Sequence, residues 1–173
     1  MTVTIRPRRE EDIPALAAVL VRVHELDGYP VEGVADPNGW LRHNQELQSW
    51  TAVEGDQPIG QITLTRARPD DTAAQAWHTH TGGEVGRLVI PARLFVDPDH
   101  RGSGAGRSLM KAAVDFAHAE GNPVAFDVML KDHAAIRLYE RLGAERIQVL
   151  EHRYGSSLTE PAAVYVLEER LNS

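Results

Sequence analysis

The chain has 173 residues, of which 42% are hydrophobic and 25% are charged. This composition is typical of a soluble globular protein rather than a disordered one, and the length predicts a single domain over residues 1–173. No apolar run approaches the roughly 20 residues that span a bilayer, and the first residues contain no signal-peptide hydrophobic stretch. We therefore expect a cytoplasmic protein with no membrane partner.

Cysteine content and charge exclude further classes of protein. The sequence has no cysteine, which rules out disulfides, thiolate catalysis and Cys-ligated zinc. The net charge of -7 at pH 7 disfavours attraction to a phosphate backbone, and no large basic patch is visible in the sequence. A nucleic-acid partner is not expected.

The first segment of the chain predicts a strand followed by a helix. Alternation over residues 2–5 is typical of a short strand, and apolar residues at helical spacing after Pro14 indicate an amphipathic helix. The Gly- and Pro-rich residues 28–38 predict a loop, and a short helix is predicted over residues 40–47.

A hairpin and an irregular segment follow. Two β-like runs, residues 49–53 and 59–65, are joined by EGDQP, whose turn residues indicate a hairpin. Residues 68–86 show no clear periodicity, so we expect a loop insertion there.

The second half of the chain alternates strands with helices. A short apolar strand ends at DPDH, and a Gly-rich turn leads into a helix that ends near Gly121. A further helix ends at Gly143, and β-like runs are predicted at residues 124–129, 146–151 and 163–167. This order predicts a mixed α/β sheet of about six to seven strands flanked by helices, with no linker or repeat dividing it.

The Gly-rich turn HRGSGAGRSLM has the residues of an anion site. Gly102, Gly104 and Gly106 lack the Cβ atoms that keep successive backbone N–H groups from converging. The helix that starts here adds its N-terminal amides and dipole, so a phosphate group is the expected ligand. Arg101 and Arg107 could supply countercharge. The alternative is a connection that only lets strand and helix pack closely.

Two other glycine motifs do not match this turn. A Walker loop ends in Gly-Lys-Ser/Thr, and no such string occurs. The dinucleotide fingerprint needs a third glycine three residues after Gly106, where the sequence has Leu109. A third interpretation is a phosphate-binding or redox α/β domain.

The turn and its flanking residues resemble the GNAT N-acetyltransferase superfamily, whose signature is Arg or Gln, two residues, Gly, one residue, then Gly or Ala. Arg101, Gly104 and Gly106 match it. The resemblance extends upstream to LFVDPDHRG and downstream to HAAIRLYERLGAE, which looks like the family's second conserved helix. It implies a single GNAT-like domain whose splayed central strands admit coenzyme A.

The resemblance also implies an activity: acyl-CoA-dependent N-acyl transfer, with acetyl passing from acetyl-CoA to a primary amine by direct attack and with no metal. In the family, pantetheine pairs with the strand before the turn, an amide near Val96 would polarise the thioester carbonyl, and the turn amides hold the pyrophosphate. The cofactor-binding residues implied are Leu94, Phe95, Val96, Arg101, Gly102, Ser103, Gly104, Ala105, Gly106 and Arg107.

Tyr139 occupies the position of the family's tyrosine in RLYERLG, which implies that it is catalytic and protonates the leaving thiolate. The alternative is a core tyrosine whose hydroxyl finds some partner. Seven residues earlier the family often has Asn, and this chain has Asp132, for which helix capping is expected instead.

No general base is identifiable from the sequence. The family often places a glutamate on the strand that contains LFV, and this strand has no acid before Asp97. Glu84, His78 and His80 lie upstream, and each is expected to be a solvated loop residue. The HTH string also fits a metal site, but it lacks an identifiable third ligand. Proton transfer through ordered water is the remaining route.

The partner expected from the resemblance is a small-molecule or peptide amine acceptor. Tyr29, Pro30 and Trp40 lie in the family's variable acceptor-side region, although core packing is expected for Trp40. Relatives are frequently homodimers, and the run from Ala163 to Leu167 could pair between chains. A noncatalytic acyl-CoA-binding or sensing domain is the alternative function.

Overall fold

The computed structural model describes residues 2–30, 32–154 and 158–168. The chain forms two compact units, residues 1–65 with 91–113 and residues 66–90 with 114–173. Within the described residues there are seven strands and five α-helices: β1 Val3–Pro7, α1 Ile13–Asp27, α2 Pro37–Leu41, β2 Glu46–Glu54, β3 Gln57–Arg66, α3 Thr72–Thr81, β4 Val89–Val96, α4 Ala105–Ala119, β5 Val124–Met129, α5 His133–Arg141, β6 Glu145–Tyr154 and β7 Leu158–Leu167. The predicted mixed α/β fold is confirmed.

The first unit is built on antiparallel strand pairs, β1 with β2 and β2 with β3. Its strands are ordered β1-β2-β3-β4, and the predicted hairpin is confirmed, since Trp50 of β2 lies opposite Ile62 of β3. The apolar face of α1 buries Leu16 and Leu20 in a cluster that also contains Phe95 of β4. This cluster is a hydrophobic core of the first unit.

The short helix α2 begins earlier in the chain than the sequence predicts. It covers Pro37–Leu41 rather than residues 40–47. The Asp36 side chain accepts a hydrogen bond from the Gly39 amide at 3.1 Å, and Pro37 provides a φ already suited to the first helical position. These two residues fix the start of the helix, and β2 already begins at Glu46.

The second unit contains parallel and antiparallel pairs. Its strands are ordered β4-β5-β7-β6. The parallel ladder between β4 and β5 pairs Val89 with Val124, the first residue of each strand. The helix α3 packs against β5, β6 and β7.

The strand β7 corrects one expectation. Ala163 lies opposite Val128 of β5 and also opposite Val149 of β6. Both hydrogen-bonding edges of residues 163–166 are therefore used within the chain, so these residues do not offer an edge to a second chain. The homodimer stays a prediction, but pairing through β7 no longer supports it.

The segment 68–86, expected to be a loop, contains the helix α3. Ala73, Ala74, Ala76 and Trp77 are buried, and Gly82 ends the helix with φ 74°, its amide bonding to the His78 carbonyl at 2.8 Å. The buried face of α3 consists mainly of alanines, which are only weakly hydrophobic, and the polar HTH sequence follows it. The helical period of hydrophobicity is therefore weak in this segment. That the segment is an insertion remains a prediction.

A search of the described residues for helices long and apolar enough to cross a membrane finds none.

Candidate active site

The glycine-rich turn joins β4 to α4 in the first unit. A 3₁₀ turn over Pro98–His100 leads into it, and the Asp97 carboxylate accepts from the Asp99 amide at 3.0 Å. Gly102 and Gly104 both have φ 83°, a left-handed conformation that costs other residues roughly 1–2 kcal/mol. Glycine at these positions therefore permits the turn that the sequence predicts.

The end of this turn presents unused backbone donors. Among the described residues, the amides of Gly104, Gly106 and Arg107 have no acceptor. The first bond of α4 runs from the Ser108 amide to the Gly104 carbonyl at 3.0 Å. A Cβ built on Gly104 would meet no atom within 4 Å, so the space beside these donors is open. Free amides at a helix N-terminus fit a phosphate group.

The two arginines of the turn differ in their surroundings. The Arg101 guanidinium, expected as phosphate countercharge, forms an ion pair with Asp27 at the end of α1. Its side chain is therefore already neutralised. Arg107 is exposed and has no ion pair with a described residue, so it is the better source of positive charge.

The strand β4 lies tightly against β3 just before the turn. The Asp97 amide donates to the Ile59 carbonyl at 2.6 Å, and a Cβ built on Gly60 would lie 2.6 Å from the Phe95 carbonyl oxygen. Phe95 is buried, whereas Leu94 and Val96 are half-buried. A glycine at position 60 thus allows the close approach that fixes the backbone of residues 94–96.

Arg93, one residue upstream, has a feature that sequence reasoning missed. Its φ is 57°, and among the described residues it is the one non-glycine residue with positive φ. Gln61, a fully buried residue of β3, donates to the Arg93 carbonyl at 2.7 Å. Gln61 in turn accepts from the Arg8 guanidinium at 2.8 Å. A buried polar network thus holds an unusual backbone conformation in β4.

The Arg93 side chain reaches the aromatic residues of the segment between α1 and β2. Its guanidinium lies 4.7 Å from the centre of the Trp40 ring and donates to the Trp40 carbonyl. Trp40 packs edge-on against Tyr29, with ring centroids 5.8 Å apart, and its indole N–H donates to Glu32 at 2.7 Å. The expected core packing of Trp40 is confirmed, since it is half-buried against the α1 cluster.

Tyr139 lies in the second unit, on α5. Its ring packs edge-on against the buried Phe126, with centroids 4.7 Å apart. Among the described residues its hydroxyl has no hydrogen-bond partner. Burial, with a smaller effect from the Asp132 charge, raises the pKa of the Tyr139 hydroxyl. The phenol therefore stays protonated at neutral pH and can donate a hydrogen bond.

The family model described as "Acetyltransferase (GNAT) family" matches residues 15–144. The chain belongs to the GNAT acetyltransferase family. A curated relative, an uncharacterized N-acetyltransferase of Methanocaldococcus jannaschii, is 37% identical over 59 residues, which are 34% of this chain and 26% of the relative. The match thus spans about a quarter of that relative's length.

Solved GNAT structures share the fold. Arabidopsis thaliana NAA60 in complex with acetyl-CoA is 20% identical, with a TM-score of 0.71, over 96% of this chain and 98% of that chain. A ribosomal-protein-alanine N-acetyltransferase from Brucella melitensis is 22% identical, with a TM-score of 0.70, over 95% of this chain and 99% of that chain. At these identities the likeness concerns the fold.

The departure from the GNAT pattern at position 132 has a structural role. The Asp132 carboxylate accepts from the Ala135 amide at 3.2 Å and caps α5. The expected capping is confirmed. It fixes the start of the helix that presents Tyr139.

The side chains considered as a base for this GNAT chain are exposed. Glu84, His78 and His80 all lie at the surface, and His78 Nδ1 is 2.6 Å from the Gly83 carbonyl oxygen at the end of α3. Within the described residues, no three His, Asp or Glu side chains are grouped as metal ligands. None of the three candidates gains support as the base.

Proposed function

We propose that this GNAT chain is an acetyl-CoA-dependent N-acetyltransferase that transfers an acetyl group to a primary amine by direct attack. The observation that carries the proposal is the row of free amides at Gly104, Gly106 and Arg107, in a turn with the family's glycine spacing. Those amides, with Arg107 as countercharge, would hold the pyrophosphate of coenzyme A. Related structures include Arabidopsis thaliana NAA60 in complex with acetyl-CoA and a ribosomal-protein-alanine N-acetyltransferase from Brucella melitensis, and their chemistry is of the kind proposed.

The residues of β4 have a separate role in the proposal. Leu94, Phe95 and Val96 would pair with pantetheine, and the Val96 amide would donate to the thioester carbonyl as negative charge develops there. Bound acetyl-CoA supplies the activated acetyl group. The tight contact at Gly60 supports this role because a carbonyl-polarising amide must be held rigidly.

Tyr139 is the proposed proton donor to the departing thiolate. Its hydroxyl supports this role, because among the described residues it has no acceptor and its proton is therefore available for a substrate. The amine would lose its proton through ordered water, since no side chain is supported as the base. The lack of cysteine suits a reducing compartment, and we propose the cytoplasm.

The first test is calorimetric titration of the purified protein with acetyl-CoA, using NADH and ATP as controls. Selective, saturable binding of acetyl-CoA is expected. Release of free coenzyme A thiol is then measured with a panel of primary amines. Equal binding of all three nucleotides, or no binding, would refute the proposal.

The alternative function is a noncatalytic acyl-CoA sensor of the same fold. It predicts acetyl-CoA binding without amine-dependent thiol release. Tyr139→Phe separates the two further, because in an enzyme it should lower turnover by about 10²- to 10⁴-fold while leaving the acetyl-CoA affinity unchanged. Unchanged turnover in this variant would show that Tyr139 is not the proton donor.

A further inference from the structure

Arg93 is a half-buried cation. Among the described residues, no carboxylate forms an ion pair with its guanidinium. Burial lowers the pKa of the Arg93 side chain, and the nearby Tyr29 and Glu32 offset this in part. A cation removed from water in this way gains most from an anion that reaches it directly.

The Arg93 guanidinium has more hydrogen-bond donors than acceptors around it in the described structure. It carries five N–H groups, and its hydrogen bond within the described structure goes to the Trp40 carbonyl. The ring of Trp40 covers one face of the guanidinium at 4.7 Å. Glu32, whose negative charge acts on Arg93, already accepts a hydrogen bond from the Trp40 indole at 2.7 Å. The planar edge of Arg93 is thus oriented by its neighbours and matches the geometry of a carboxylate.

The position of Arg93 relates this cation to the reaction. It lies on the same strand as Val96, three residues earlier, and it contacts the segment between α1 and β2. We propose that the acceptor amine also carries a carboxylate, as an α-amino acid does, and that Arg93 binds this carboxylate against Trp40. The inference rests on the proposed N-acetyltransferase function and specifies its acceptor class.

The left-handed backbone of Arg93 supports a role in binding. Gln61 holds the Arg93 carbonyl at 2.7 Å, and Arg8 holds Gln61 at 2.8 Å, so buried side chains maintain a conformation that arginine disfavours. The competing explanation is that Arg93 only fastens α2 to β4. A fastening residue would affect every acceptor equally, whereas a carboxylate-binding residue would affect only acceptors that carry the charge.

The test uses matched acceptors that differ in the carboxylate alone. Alanine, leucine, phenylalanine and glutamate are each compared with the corresponding α-carboxamide, and kcat/KM is measured by coenzyme A release. The unmodified protein should prefer the amino acids. Arg93→Gln should lower kcat/KM for the amino acids by about 10- to 100-fold, the range for hydrogen bonds to a charged group, and leave the carboxamides unchanged.

Two control variants test whether the effect is specific to Arg93 and whether it depends on charge alone. Arg66→Gln removes an exposed arginine at the end of β3 and should not alter the preference. Arg93→Lys keeps the charge and loses the planar pair of donors, so it should retain part of the preference. Equal losses for amino acids and carboxamides in Arg93→Gln, or no preference in the unmodified protein, would overturn the inference.

Binding measurements keep this inference distinct from the proposed function. The N-acetyl derivatives of the same amino acids and carboxamides are titrated calorimetrically, with and without coenzyme A. Binding of the carboxylates that Arg93→Gln abolishes supports the site even if no acceptor in the panel is acetylated. Failure of every carboxylate to bind or react overturns it, whereas failure of acetyl-CoA to bind refutes only the proposed function.

Discussion

The glycine-rich turn and the strand β4 both contain a left-handed backbone conformation, and they reach it by different means. In the turn, Gly102 and Gly104 adopt φ 83° without a Cβ to oppose it. In β4, Arg93 adopts φ 57° despite its side chain, and Gln61 holds its carbonyl from the neighbouring strand. The turn thus depends on local composition, and the β4 conformation depends on a buried network.

This difference separates the two halves of the proposed chemistry. The turn would recognise a phosphate through backbone amides, which any sequence with the right glycines can present. The Arg93 region would recognise an acceptor through one side chain, which Gln61 and Trp40 hold in place. The proposed donor site thus depends on backbone amides, and the proposed acceptor site depends on contacts between distant side chains.

The largest expected effect comes from Gly104→Val. A β-branched residue disfavours φ 83°, and its side chain would occupy the open space beside the free amides. We expect the acetyl-CoA affinity to fall by more than about 100-fold. Gly55→Val is the matched control, since Gly55 has φ 62° with open space in the β2–β3 turn. Equal loss of binding in both variants would show that backbone strain alone is responsible.

Gln61→Met tests whether the network sustains the β4 conformation. The change leaves the Arg93 carbonyl and one Arg8 donor unsatisfied in a buried site, and the free energy of unfolding should fall by about 2 kcal/mol. Chemical denaturation measures this, with the exposed Gln57→Met on the same strand as the control. If the free energy of unfolding falls no more than in the control, then the backbone conformation of Arg93 does not depend on Gln61.

Acid should lower the free energy of unfolding, because the buried Asp12 of the first unit forms an ion pair with Arg6. Arg6, assisted by the Arg9 amide and Thr51, lowers the pKa of the buried Asp12 to about 2 from 3.8. Because the folded pKa lies below the unfolded one, this contribution is complete above about pH 4 and is lost as the pH falls through 2. It amounts to about 2 kcal/mol. Denaturation of Asp12→Asn across this pH range should show a shallower decline, and an unchanged slope would contradict the assignment.

The smallest expected effect comes from a comparison of Arg93→Gly with Arg93→Ala. Both variants remove the guanidinium, but only glycine adopts φ 57° without backbone strain. The glycine variant should be more stable than the alanine variant by about 1 kcal/mol, measured by thermal unfolding. If alanine is equally stable, then the left-handed conformation does not persist without the arginine side chain.

The sequence predicted those features whose causes are local. The glycine turn, the hairpin and the strand at residues 124–129 each follow from residues within the segment itself. Tyr139 was identified through its family motif, and its catalytic role remains a prediction. The cap at Asp132 follows the same local logic as the turn.

The remaining features depend on contacts between distant residues. Arg93 in VIPARLFV looks like an ordinary strand residue, and nothing near it in the sequence reveals Gln61, Arg8 or Trp40. The helix α3 was missed because its buried face consists mainly of alanine, and Arg101 gave no sign of its ion pair with Asp27. A buried glutamine in a β-rich run was the one available signal, since such a residue must have partners.

The position of β7 has a consequence for synthesis of the chain. It pairs with β5 on one side and with β6 on the other, although it follows both in sequence. A nascent or truncated chain that stops before Leu158 would hold two strands with open hydrogen-bonding edges, and such edges attract other chains. Premature termination late in the message should therefore yield aggregation-prone fragments and not a shortened but folded second unit.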